Sequence, residues 1–156
     1  MKDFVHLHVH TQYSILDGQA SIPNLVEKAL KDGMRGMAVT DHGNMMGIKE
    51  FYNYVKSKRK SAQSALKDLQ EKLLALDAAE DFGEYATREE AQKALEQQIA
   101  TKKREAEFKP IFGCEMYVAR RGMRTKECKE DQSGWHLIVL AKNEKGYHNL
   151  IKLVSH

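Results

Sequence analysis

The first stretch that could do chemistry is FVHLHVHTQYSILDG, residues 4–18. It contains histidines at every second position and then an aspartate: His6, His8, His10 and Asp17. Side chains alternate between the two faces of a β-strand, so we expect the three imidazoles to share one face of a first strand. Imidazole and carboxylate groups bind metals, and the pattern predicts a metal role for His8 and His10. His6 could either orient a ligand or simply pack.

Further candidates lie in three later apolar runs. Asp41 and His42 close the run GMAVTDHG, Glu115 lies within IFGCEMYV, and His136 opens HLIVL. In parallel α/β folds, functional groups collect at the C-terminal ends of the strands. We therefore expect one cluster of four side chains: His10, Asp17, His42 and Glu115. These ligands suit zinc, manganese or iron, and neighbouring metals would activate water and hold a phosphate, as in phosphoester hydrolysis.

Some of these residues have a second interpretation. A buried glutamate is costly unless it is paired, which favours metal binding by Glu115. His136 is either a ligand or an ordinary histidine at a strand start. Asp41 either holds an imidazole from behind or caps a helix. His148 and His156 belong to a polar helix and are expected at the surface.

Composition describes a folded protein without membrane segments. The 156 residues are 42% hydrophobic and 30% charged, with a net charge of +3 that permits but does not require a nucleic-acid partner. No signal peptide or apolar run of about 18 residues is present in the sequence, so no membrane partner is expected.

Two cysteines are too few for a disulfide scaffold, which favours a reducing, cytoplasmic setting, and Cys114 is expected to fill the core. The basic loop 120–124 either contacts a phosphate backbone or is simply solvated.

Three regions position these residues. Residues 1–57 are predicted to form two β-α units, whose first helix begins after Ser21 and ends at Gly33. Residues 58–108 carry apolar positions three and four apart and a capping pattern at Thr87, which predict an antiparallel helical hairpin. Residues 109–156 return to strands and a final helix. The alternation implies a parallel sheet, and the hairpin is either a solvated insertion or a partner-binding arm.

Several motifs resemble a known family. LHVHTQYSILDG and TDHGN are similar to the first two motifs of the PHP (polymerase and histidinol phosphatase) family. The longer stretches TDHGNMMGIKEFY, KPIFGCEMYVA and HLIVLAKNEKGYHNLIKLVS resemble the N-terminal region of bacterial DNA polymerase III alpha subunits. The resemblance covers the chain on both sides of the hairpin. Relatives commonly pass from the second helix to KPI within a few residues, so the segment 58–108 departs from the family pattern.

The resemblance implies a fold and a ligand set. The fold would be an α/β, PHP-type distorted (β/α)7 barrel, truncated here before the later family ligands and interrupted by the inserted antiparallel helical hairpin. A multinuclear cluster of divalent metal ions would be held, as far as this chain reaches, by the matching residues: His8, His10, Asp17, His42, Glu115 and His136. His6 stands where the family often has aspartate and is not carried over as a ligand.

The resemblance also implies a function. The chain would be a fragment of a replicative DNA-directed DNA polymerase, a cytoplasmic nucleotidyltransferase that works on DNA with other replicase subunits, including an exonuclease subunit. The part seen here would act as a 3′-5′ proofreading exonuclease or dock the exonuclease subunit. The alternative is a stand-alone phosphoesterase of the histidinol phosphatase type. A truncated barrel leaves strand edges and apolar surface uncovered, which predicts self-association.

Overall fold

The computed structural model describes residues 4–79 and 81–155. Its regular elements, in chain order, are α1 (Ile22–Lys31), β1 (Gly36–Val39), α2 (Ile48–Ala75), α3 (Arg88–Glu107), β2 (Lys109–Val118), β3 (Trp135–Leu140) and α4 (Glu144–Val154). The predicted mixed α/β class is confirmed. The chain forms two compact units: the first consists of the residues before Val55 and after Phe108, and the second runs from Val55 to Phe108. In the described ranges, no helix combines the length and apolarity that a bilayer crossing requires.

The sheet is mixed rather than parallel. Its order is β1-β2-β3, with β1 parallel to β2 and β2 antiparallel to β3. The expectation of a wholly parallel sheet is therefore wrong at β3. A parallel connection needs a crossover, usually a helix, whereas residues 119–134 contain only the short 3-10 turn Lys129–Gln132. The antiparallel register places His136 opposite Tyr117, so the start of β3 lies beside the end of β2.

The predicted first strand does not form as a regular strand in residues 4–10. The segment still runs beside β1, because the Ala38 amide donates to the carbonyl of His6 at 2.8 Å and the Thr40 amide to that of Val9 at 2.9 Å. The two donating amides are two residues apart, but the two accepting carbonyls are three residues apart. The N-terminal segment therefore contains one residue more than a regular ladder would. The extra residue, near the bend at Leu7, breaks the alternation of faces between His6 and His8. The three imidazoles consequently do not form one continuous row.

The core of the first unit lies between the sheet and the helices beside it. Helix α1 is capped by Ser21 as predicted, since its side chain accepts from the Asn24 amide, and Gly33 follows the helix with φ of 77°. Helix α1 contacts β1, and α4 contacts β2. Phe51 of α2 is fully buried and meets Phe112 edge-on at 6.1 Å. This packing fixes β1, which Asp41 and His42 follow, and β2, which carries Glu115.

The second unit consists largely of two helices. Helix α2 continues unbroken past residue 57, the predicted region boundary, because residues 48–75 contain neither glycine nor proline. Helix α3 begins at the predicted cap, with Thr87 accepting from the Glu90 amide at 3.2 Å. The Nε of Arg59 donates to the carbonyl of Ala106 at 3.0 Å. This bond joins the earlier part of one helix to the end of the other, as in an antiparallel pair.

Candidate metal centre

His8 is oriented from behind by a buried threonine. Its Nδ1 lies 2.9 Å from Oγ1 of Thr40, which is fully buried. If Nδ1 carries the proton and donates to this hydroxyl, the lone pair on Nε2 is free. That Nε2 lies 4.0 Å from Oε2 of Glu115. The sequence places Thr40 directly before Asp41 and His42, but nothing in it indicates that Thr40 supports His8.

Glu115 is the common neighbour of the histidines. Its side chain is 3% exposed, and its Oε2 lies 2.7 Å from Nε2 of His10 and 3.7 Å from Nδ1 of His42. Its other oxygen, Oε1, contacts Nδ1 of His136. One buried carboxylate therefore faces the imidazoles of both the N-terminal segment and β3.

Asp17 approaches from a compact loop. Its Oδ2 lies 2.8 Å from Nδ1 of His42 and 3.9 Å from Nδ1 of His10. The Gly18 amide donates to the carbonyl of Ser14 at 2.8 Å. A β-carbon at Gly18 would collide with the carbonyl of Thr11, so the close turn that follows Asp17 requires glycine.

Asp41 anchors this loop. Its buried carboxylate accepts from the Thr11 amide at 2.7 Å, from the Thr11 hydroxyl at 2.9 Å and from the Ser14 hydroxyl at 2.8 Å. The Ser14 oxygen in turn accepts from the His42 amide at 3.0 Å. The helix-cap interpretation of Asp41 is wrong, because α2 begins only at Ile48. The partners of its carboxylate are hydroxyls and an amide rather than an imidazole, so its support of the centre is indirect. Asp41 positions the loop that carries Asp17.

The ligand-type side chains form two groups. One contains His8, His10 and Glu115, and the other contains His10, Asp17 and His42; within each, the ligand atoms lie within 4.8 Å of one another. His10 belongs to both groups, facing Glu115 with Nε2 and Asp17 with Nδ1. A neutral imidazole has a lone pair on only one nitrogen, so a neutral His10 can serve one group at a time.

Two unsatisfied atoms show that these residues fit a cation. Among the described residues, Nε2 of His10 and Oε2 of Glu115 are buried without a hydrogen-bond partner, although they lie 2.7 Å apart. Their separation is that of an ion pair, but no hydrogen bond joins the two atoms. Buried polar atoms without partners are costly. Two ligand atoms that converge on a shared divalent cation would have this arrangement.

Three further histidines were considered from the sequence: His6, His148 and His156. His6 is exposed and packs edge-on against Phe4 at 4.7 Å, and it is in neither ligand group. The expectation that His6 shares the face of His8 and His10 is wrong, because the extra residue at the bend intervenes. His148 is exposed, with Glu144 at 3.9 Å, as a surface histidine should be. His156 lies outside the described residues.

The cysteines are not suited to the centre. Cys114 is fully buried, as its predicted role in the core requires. Burial, and after it the charge of Asp41, raises the pKa of the Cys114 thiol to about 11, so the thiol is protonated at neutral pH. Cys128 is exposed, and a hydrogen bond to Glu130 raises its pKa.

The arginines of the basic loop already have partners. Arg121 contacts Asp131 and lies 3.3 Å from Glu127. The guanidinium of Arg120 lies over the ring of Trp135, 4.5 Å from its centroid. A solvated loop closed by its own contacts is therefore the better supported of the two interpretations.

Tyr117 is the neighbour of the centre that sequence reasoning missed. It contacts Nε2 of His42, and its ring centroid lies 4.6 Å from that of His136. It follows Glu115 by two positions on β2, so the alternation of a strand could have indicated it. Ser14 was also missed, and no spacing in the sequence indicates its bond to His42.

Comparisons with known proteins show the family of the chain. The family model described as PHP domain matches residues 6–156, a range that includes every candidate ligand. The DNA polymerase III subunit alpha of Borreliella burgdorferi is 36% identical over 155 residues, and those of Treponema pallidum and Aquifex aeolicus are 33% and 31% identical. Each alignment covers 97% of this chain but only 9%, 9% and 10% of the relative, respectively. The chain thus spans about a tenth of the length of these curated relatives, and it belongs to the PHP domain family.

Proposed function

We propose that the chain is the PHP part of a replicative DNA polymerase III alpha subunit and that the centre around Glu115 binds divalent metal ions and acts on phosphoesters. The names of the curated relatives support the first half of the proposal. The whole protein would be a DNA-directed DNA polymerase of the cytoplasm, a nucleotidyltransferase with DNA and other replicase subunits as partners. The relatives' length leaves room for a polymerase site elsewhere in such a protein.

One observation supports the proposed binding of divalent metal ions around Glu115. The buried Nε2 of His10 and Oε2 of Glu115 face each other at 2.7 Å without hydrogen bonds among the described residues, and other ligand-type groups surround them. A hydrogen-bonded structural network would have satisfied these atoms. A shared cation satisfies both at once. Zinc, manganese and iron all suit this set of nitrogen and carboxylate ligands.

Six residues would hold the metal ions. Five of them form two sets that share His10: His8, His10 and Glu115 in one, and His10, Asp17 and His42 in the other. The sixth, His136, contacts Glu115. When bound, divalent cations supply positive charge to a phosphate and make a water molecule acidic enough to attack it near neutral pH. The protein contributes the orientation. Thr40 fixes His8, and Asp41 holds the loop that presents Asp17.

The proposed fold extends the observed sheet. The three strands, with the N-terminal segment beside β1, would be part of a distorted (β/α)7 barrel that contains residues 1–57 and 109–156. Residues 58–108 would be a helical insertion in this domain. None of the six proposed ligands lies in that insertion.

The test combines metal analysis with a nuclease assay on the intact protein. Wild type is expected to retain divalent metal after dialysis and to remove nucleotides from a 3′ DNA end. The double variant His8→Ala, His10→Ala should lose both properties, whereas His148→Ala, the surface control, should keep them. Retention of metal and activity by the double variant would show that the proposal is wrong.

Two further outcomes separate the alternatives. Metal binding without cleavage of DNA would favour a domain that docks the exonuclease subunit. Cleavage of histidinol phosphate but not of DNA would favour the stand-alone phosphoesterase.

A further inference from the structure

We infer that Tyr117 is a positioning residue of the centre, one that holds the His42 ring so that Nδ1 faces Asp17 and a bound cation. The inference rests on the proposed metal binding and adds a residue to it. Tyr117 lies two positions after Glu115 on β2 and is paired with His136 across the antiparallel ladder. Glu115, Tyr117 and His136 therefore share one face of the sheet.

The Tyr117 ring contacts two imidazoles of the centre. Its centroid lies 5.0 Å from that of His42 and 4.6 Å from that of His136, and the two imidazole centroids are 5.7 Å apart. The ring meets His136 nearly perpendicularly, at 84°, which is a favourable aromatic geometry. These contacts restrict the rotation of both imidazole rings.

The phenol oxygen contributes a directional contact. It contacts Nε2 of His42, while Nδ1 of the same ring lies 2.8 Å from Oδ2 of Asp17. The main chain of His42 is fixed independently, by the bond from its amide to Ser14 and by its bridge to Glu115. Only the side-chain torsions of His42 are then left undetermined. The contacts of Nε2 with Tyr117 and of Nδ1 with Asp17 determine them.

A phenol suits this position because it can donate or accept. Without a cation, Nδ1–H of His42 can donate to Asp17 while Nε2 accepts from the Tyr117 hydroxyl. With a cation at Nδ1, the proton must be on Nε2, which then donates to the phenol oxygen. Tyr117 thus keeps its bond in both tautomers, so metal binding does not leave Nε2 without a partner. Such outer contacts typically contribute about 10-fold to 100-fold to metal affinity.

The test uses zinc and the Tyr117→Phe variant, which keeps the ring and removes the oxygen. Zinc affinity is measured by competition with a chromophoric chelator. We expect wild type to bind zinc and Tyr117→Phe to bind it about tenfold more weakly. Tyr54→Phe is the matched control, because it also removes a hydrogen-bonded phenol oxygen, in this case one that donates to Glu27 at 2.6 Å. It should bind zinc as wild type does.

A spectroscopic measurement separates positioning from a general effect on structure. Two-bond ¹H–¹⁵N spectra of the zinc-loaded wild type, with His42 assigned by comparison with His42→Gln, should show zinc at Nδ1 and a proton at Nε2. Zinc at Nε2, or equal zinc affinity of wild type and Tyr117→Phe, would overturn the inference while leaving the proposed metal centre in place. Absence of zinc binding by wild type would overturn both.

Discussion

The buried carboxylate of Glu115 faces the imidazoles of His10 and His136. A buried charge is costly unless an opposite charge or several hydrogen bonds compensate for it. A divalent cation bound beside Glu115 would supply this opposite charge. Glu115 should therefore matter more for metal binding than for the stability of the metal-free protein.

Replacing Glu115 by glutamine tests this separation. Glu115→Gln preserves the size of the side chain and removes its charge. We expect zinc or manganese affinity to fall at least about 100-fold, and the urea midpoint of the metal-free protein to change little. Metal content after dialysis and urea unfolding measure the two effects. The exposed Glu144→Gln should change neither, and unchanged metal content in Glu115→Gln would contradict the role given to this carboxylate.

Asp41 should show the opposite pattern, because it supports the site through the fold. Asp41→Asn weakens three hydrogen bonds to a buried carboxylate that Thr11 and Ser14 now make. Hydrogen bonds to charged groups contribute about 1.5–3 kcal/mol each, and we expect a loss of about 2–4 kcal/mol in the free energy of unfolding. Asp32→Asn, at an exposed ion pair with Lys28, should cost less than about 1 kcal/mol. Equal urea midpoints for the two variants would count against the anchoring role.

At the residue scale, the sequence predicts which residues belong to the site better than it predicts what each of them contacts. The positions of four residues near the ends of predicted strands were the basis for expecting one cluster, and these side chains do lie together: His10, Asp17, His42 and Glu115. The role of Asp41 was not predictable, because its partners depend on the path of the loop between Thr11 and Gly18. His6 was misplaced because one extra residue changes the face of a strand, and periodicity alone does not reveal such a residue.

Among the elements, the loop between β2 and β3 has the clearest electrostatic support. Nε of Arg121 donates to Asp131 at 2.9 Å, and the amides of Glu127 and Cys128 donate to the same carboxylate at 2.9 and 3.1 Å. The guanidinium first, and then these amides, hold the pKa of Asp131 well below its usual range. The 3-10 turn that follows Cys128 is thereby tied to the start of the loop.

This support has a defined pH dependence. A carboxyl whose pKa is lowered on folding stabilises the folded loop above its unfolded pKa of about 3.9, and the stabilisation is lost as the pH falls through the lower folded pKa. We therefore expect the loop amides of Glu127 and Cys128 to keep their NMR shifts from pH 7 to about pH 4 and to move only in stronger acid. Asp131→Asn should show altered shifts already at pH 7. A wild-type midpoint near 3.9 would contradict the contact with Arg121.

The helices were more predictable than the sheet. Helix ends are determined locally, and the caps at Ser21 and Thr87 could be identified from a few neighbouring residues. Strand direction depends on the connection instead. The polar loop before Trp135 contained no helix, and this should have predicted an antiparallel β3. Helix α2 was predicted too short, because the change in composition near residue 57 does not interrupt helical hydrogen bonding.

At the scale of the whole molecule, the metal centre should be independent of the helical unit from Val55 to Phe108. All six proposed ligands belong to the other unit. We expect that replacing residues 55–108 with a flexible linker of about eight residues leaves zinc affinity within about twofold of wild type. A linker variant that also carries His10→Ala is the control and should not bind zinc. A folded linker variant without zinc binding would show that the helical unit contributes to the centre.

The exposed face of the sheet predicts self-association. Trp135, Leu137 and Val118 lie on one face of the β2–β3 ladder and are 61%, 50% and 44% exposed. Apolar neighbours of this size on an open sheet favour contact between molecules. Light scattering should therefore show an apparent mass that rises with concentration, and Leu137→Lys should reduce the increase. A concentration-independent monomer would contradict the prediction, and Leu74→Lys, an exposed leucine of the other unit, is the control.

The helical pair has a consequence for how the protein folds. The pairing of β1 with β2 joins distant parts of the chain; Cys114 and Asp41, for example, are 73 residues apart. Closing such a loop is slow because its entropy must be lost before the contacts form. Helices form early, and once Arg59 has met Ala106, 47 residues of that separation are already closed, which lowers the closure cost by roughly 1 kcal/mol. Substitutions that loosen this helix pair should therefore slow refolding more than they accelerate unfolding.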